Sequence, residues 1–167
     1  MKRRLSHILA GAAAALLCGL SACHHIDNKR TPPAPVWIAF QTQSIWEKYG
    51  VPGALDHKRF IKEQGIPEAG FFTASSQTGY GGVLLVGDIL GRPVAYDLSC
   101  PVENRPDIRI KVDEQTNDAY CEHCHSRYDI YSNYGTAVSG PADEYGYGLT
   151  IYMVGPGPNG EYRVITR

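Results

Sequence analysis

Three cysteines and two histidines carry the chemistry legible in this chain. Cys121, His123, Cys124 and His125 crowd into the run CEHCHS at 121–126, and Cys100 lies in the run DLSCPVE at 97–103. A Cys-x-x-Cys pair suits a metal ion or a redox disulfide, since both sulfurs can face one centre across a tight turn. Cys100, Cys121 and Cys124 with one histidine would form a set of the kind that holds zinc, and His123, His125 or Glu103 could supply the fourth ligand of an iron–sulfur cluster. Cys121-x-x-Cys124-His125 also spells the attachment signal for c-type haem, with His125 as one axial ligand and Met153 as a candidate for the other. The strand-like, tyrosine-rich flanks count against haem, because c-type cytochromes set that signal beside helices. Hydrolytic chemistry has less support. Neither Ser99 nor Ser126 sits in a Gly-x-Ser-x-Gly elbow, and nothing in the sequence aligns Cys100, His125 and Asp129 as a triad. GYGGVLLVG, residues 79–87, leads into a strand rather than opening a helix, so it reads as a turn and not a phosphate loop. No group for substrate turnover stands out, and the chain does not read as an enzyme.

The start of the chain reads as an export signal. Lys2, Arg3 and Arg4 precede an apolar run at 8–20 that is too short to span a bilayer, and Leu20-Ser21-Ala22-Cys23 follows. That tetrapeptide matches a lipobox, in which cleavage leaves Cys23 acylated and anchors the protein to a membrane of the cell envelope. Removing residues 1–22 leaves 167 − 22 = 145 residues, enough for one domain, with a formal charge of 13 − 17 = −4. With no basic stripe, a nucleic-acid partner is not expected. Residues 23–36 are polar and proline-rich and read as an acylated tether, with His24 and His25 solvated. Residues 37–167 read as the single domain.

That domain is mostly β. WIAFQTQSIWEKYG at 37–50 predicts a strand followed by irregular structure, and DHKRFIKEQ at 56–64 is the only segment that reads as a helix. Short β-rich runs follow between turn residues: GGVLLVGDI, RPVAYDL, IRIKVD, DAYCEH, YDIYS, LTIYMV and YRVITR. Such spacing predicts an antiparallel sandwich or small barrel, and eleven tyrosines suit half-buried pleated surfaces.

The order of a loop at Cys100, a hairpin, the loop CEHCHSRYD and the segment GTAVSGPA at 135–142 resembles the Rieske domain over residues 80–155. The resemblance implies a β-sandwich or small barrel with two cysteine-bearing loops at one tip. It also implies a 2Fe-2S cluster, electron transfer and a redox protein partner. Cys100 and Cys121 match the family's two cysteine ligands. Val102 and Cys124 stand where its two histidines belong, and valine has no lone pair to offer iron. Ser126 and Tyr128 match hydroxyls that donate to the cluster and raise its potential. The other state implied is cluster-free: a binding or structural module with zinc at the three cysteines, or with Cys100 bridged to Cys121 or Cys124. With both histidines replaced, a disulfide is the state expected, since exported thiols tend to pair.

Overall fold

The structure is a computed structural model that describes residues 25–157 and 161–166. The expected signal segment 1–22, the expected acylation site Cys23 and His24 lie outside the described residues. Eleven strands and two short helices make up the described fold: β1 (Val36–Phe40), α1 (Gln43–Tyr49), β2 (His57–Phe60), β3 (Gln77–Thr78), β4 (Val83–Gly87), β5 (Pro93–Asp97), β6 (Lys111–Asp113), β7 (Asp118–Tyr120), β8 (Arg127–Asp129), β9 (Thr136–Ser139), α2 (Pro141–Tyr145), β10 (Ile151–Pro156) and β11 (Tyr162–Ile165). Seven of the strands form a nearly closed antiparallel sheet in the order β2-β4-β5-β10-β11-β1-β3, and the other four form a sheet in the order β6-β7-β8-β9. The expected mostly-β architecture is the one observed.

The run VLLVG is continuously apolar because β4 is buried on both faces. Leu84 and Val86 face a core shared with the four-stranded sheet, together with Tyr96, Leu98, Ile110, Tyr128 and Leu149. Val83 and Leu85 face the barrel interior with Ile38, Phe40, Phe60 and Val164. Cys100 and Cys121 belong to the first core, so the thiol loops are built into the packing between the sheets.

Two element assignments need correction. Residues 43–49, expected to be irregular, form α1: the Thr42 side chain accepts the Ile45 N–H at 3.2 Å, and Trp46 anchors the helix in the core. DHKRFIKEQ is not a helix. His57–Phe60 pairs antiparallel with Val83–Val86, and only Lys62–Gln64 turns, as a single 3-10 turn. Helical propensity gives way here to ladder hydrogen bonds and to the burial of Phe60 and Ile61. The tether also docks sooner than expected. Asp27 exchanges backbone hydrogen bonds with Gly146 and Gly148 at 2.7 and 2.9 Å, and Thr31 is buried beside Ser99.

The glycine-rich turn before β4 wraps a carboxyl group, and that group is internal. Asp97, fully buried, accepts the N–H groups of Tyr80 at 3.0 Å and Gly81 at 3.1 Å, the Ser99 N–H at 2.7 Å, and the hydroxyls of Ser99 and Tyr152 at 2.5 Å each. A Cβ at Gly81 would lie 2.5 Å from the Ser99 nitrogen, so glycine is needed for this approach. Asp97 thereby fixes β5 and the start of the Cys100 loop against β10 and the turn.

Candidate metal centre

Two turns, one after β5 and one between β7 and β8, deliver the sulfurs. In the first, the Asn104 N–H donates to the Cys100 carbonyl at 2.8 Å; in the second, the His125 N–H donates to the Cys121 carbonyl at 3.0 Å. Asn104 and His125 both take the left-handed conformation, at φ 51° and 59°. Each turn aims backbone N–H groups at its leading sulfur: Glu103 at Cys100, and His123 and Cys124 at Cys121. Arg127 braces the second turn by bonding Asp113 on β6 and Asp118 on β7, at 2.7 and 2.6 Å.

The sulfurs of Cys100, Cys121 and Cys124 all lie within 4.8 Å of one another. Cys100 and Cys121 are fully buried, and Cys124 is half-buried. Around a single ion with metal–sulfur bonds of about 2.3 Å, tetrahedral sulfurs stand ~3.8 Å apart, and the trio is close to that spacing. All three are free thiols, so the bridge expected from Cys100 is not present. The Cys100 and Cys124 sulfurs are 3.5 Å apart, against about 2 Å for a bond. Three sulfurs converge instead of two pairing off.

Two hydroxyls face the trio. The Tyr128 hydroxyl lies 3.5 Å from the Cys100 sulfur, and the Ser126 hydroxyl lies 3.2 Å from that of Cys124. The Ser126 oxygen accepts both the Ala142 N–H at 2.9 Å and the Cys124 S–H, which fixes it beside the trio. Gly140 makes this possible: at φ 79°, its Cβ would sit 2.9 Å from the Ser126 Cα. Cys121 ionises first. A hydrogen bond from the Cys100 thiol lowers its pKa and outweighs its burial, and the N–H groups of Cys124 and His123 add to the effect. The Cys100 thiol is pushed up by that same bond and by burial. Burial, followed by the charge of Cys100, pushes the Tyr128 hydroxyl well above its usual range, so it stays a donor.

Neither histidine joins the trio. Among the described residues the group of converging donor atoms holds the three cysteines alone, and the side chains of His123 and His125 are exposed. Glu103 is half-buried and also outside the group. Val102 packs against the shared core, and Met153 is exposed on β10. Sequence reasoning missed Asp97 as the organiser of the Cys100 loop. Its signal was an acid closing the otherwise apolar strand PVAYD. Comparisons with protein-family models, curated proteins and solved structures found no match for this chain.

Proposed function

We propose that the protein is a membrane-anchored metal-binding module in which Cys100, Cys121 and Cys124 hold one thiophilic ion as thiolates. The observation that carries this reading is the convergence of three sulfurs within 4.8 Å at the junction of two sheets. Soft thiolate sites favour zinc or copper(I) among the common ions. The backbone donors at Cys121 and Cys100 and the Tyr128 hydroxyl stabilise the negative charge that three thiolates bring. Three protein ligands leave a coordination position for an external donor. Such an ion would also keep the thiols from pairing in an oxidising envelope. The anchor rests on Leu20-Ser21-Ala22-Cys23: Cys23→Ser should release the protein from membranes, and a wild-type protein that is already soluble would contradict it.

The donors fit a Rieske cluster poorly. Its second iron needs two ligands beyond the cysteines of the first, and Val102 supplies none while His123 and His125 stand outside the trio. Ligands on different irons are also separated by the metal–metal vector, whereas these three sulfurs crowd together. A two-iron carrier is the second reading, favoured by the hydroxyls of Ser126 and Tyr128 at the sulfurs. It would need a donor from outside the trio.

Metal analysis of the full-length protein separates these readings. The single-ion reading expects about one zinc or copper per chain, lost in Cys100→Ser and Cys121→Ser alike. Coloured, anaerobically purified protein with about two irons would favour the carrier instead. Metal-free protein from metal-replete cells would refute both.

A further inference from the structure

Beside the thiol turns lies a second site of different chemistry. A cavity of about 210 Å³ is lined by Arg59, Gln64, Arg109, Lys111, Glu122 and His123, among others. Among the described residues, neither Arg59 nor Arg109 makes a salt bridge. Two carboxylates, Glu122 and Asp107, also line the cavity, and both are engaged: Glu122 pairs with Lys111 at 2.6 Å, and Asp107, which feels the charge of Arg109, is held by both Nε and a terminal nitrogen of Arg105. Arg109 makes no ion pair and spends its Nε on the Gly81 carbonyl, and the side chain of Arg59 has neither hydrogen bond nor ion pair among the described residues.

Arg59 is half-buried, and its Nε is shut off from solvent without an acceptor. Burial and the neighbouring charge of Arg109 both lower its pKa. An unsatisfied guanidinium costs stability, and a like charge beside it adds to the cost. Neither arginine has drifted out to solvent. The backbone of Arg59 is held in β2 by its pairing with Leu84, and that of Arg109 by its bridge to Ser99. Two guanidinium groups lining one cavity match the oxygens of a tetrahedral dianion, whereas a carboxylate would neutralise only one of them.

We propose that the Arg59–Arg109 cavity is a binding site for a phosphate-type dianion, either free phosphate or the phosphoryl group of a monoester. The site is independent of the metal reading, because none of the three sulfurs lines it. It adjoins the thiol centre through His123, whose side chain lines the cavity and whose N–H bonds the Cys121 sulfur.

Calorimetric titration of the full-length protein in detergent, at constant ionic strength, tests this with inorganic phosphate, glycerol phosphate and acetate. Saturable one-to-one binding of phosphate or the ester is expected, at least about tenfold tighter than acetate. The tighter of the two phosphoryl ligands identifies the source. Arg59→Gln and Arg109→Gln should each weaken binding about tenfold or more, whereas Lys111→Gln, whose charge is already spent on Glu122, should have a smaller effect. Without ligand, Arg59→Gln should melt no lower than wild type, because it removes an uncompensated charge. Absence of saturable binding, binding unchanged in Arg59→Gln, acetate binding as tight as phosphate, or a marked loss of melting temperature in Arg59→Gln would each overturn the proposal.

Discussion

Glu103 and Cys124 hold equivalent positions in two matching turns. Each lies three residues after a leading cysteine, and each backbone N–H donates to that cysteine's sulfur. The turns face each other across the thiol site, but only the second carries a sulfur at this position. Glu103→Cys should therefore complete a four-sulfur set and tighten zinc binding by about tenfold or more in chelator competition. Unchanged affinity in a folded variant would mean that the two turns are alike in backbone but not in side-chain direction.

Tyr128→Phe removes the hydroxyl facing Cys100 and keeps the ring that fills the core. Metal affinity should fall by about tenfold, as for other outer-shell donors. Stability of the metal-free protein should fall by no more than about 1 kcal/mol. Equal affinities, measured by competition, would show that the hydroxyl does not act on the thiolate.

Asp97→Asn tests the brace behind the Cys100 loop. The amide cannot accept from all the donors that converge on Asp97, so buried N–H and O–H groups lose their partner. A loss of about 2–4 kcal/mol in urea unfolding is expected. A loss under about 1 kcal/mol would show that the loop finds other acceptors.

Acid should weaken the β4–β5 hairpin through Asp88. Burial tends to raise its pKa, but the backbone N–H and guanidinium of Arg92 and the N–H of Leu90 outweigh this and hold it below the usual carboxylate value. Because the folded pKa is the lower one, Asp88 contributes its full stability above the unfolded value near 4. That contribution is lost as pH falls through the folded value. Asp88→Asn should thus be less stable than wild type at pH 7 and should flatten the fall in stability below about pH 4. Parallel curves for the two proteins would contradict this.

Much of the fold could be read from alternation and turn residues. GGVLLVGDI and RPVAYDL read as strands, and the spacing of Cys100 and Cys121 placed them on separate connections. Other features depend on partners far away in sequence. His57–Phe60 is polar enough to resemble a helix and becomes an edge strand only through β4. The GTAVSGPA segment hides β9, whose Ala137 faces the core while Val138 and Ser139 face out. At the site, the cysteines were legible and their state was not. A disulfide and a three-sulfur cluster need the same residues, and only geometry shows three sulfurs meeting. Arg59 and Arg109, fifty residues apart, gave no local signal at all.

The reactivity of each thiol, resolved by peptide, tests the central claim most directly. Full-length protein is alkylated while folded, then again after unfolding with a chelator, and Cys100, Cys121 and Cys124 are scored separately by mass spectrometry. The three-thiolate centre predicts that all three are protected in the folded protein and that all three alkylate, without reductant, once the metal is removed. A Cys100–Cys124 or Cys100–Cys121 bridge that yields only to reductant, leaving a single reactive thiol, would contradict it.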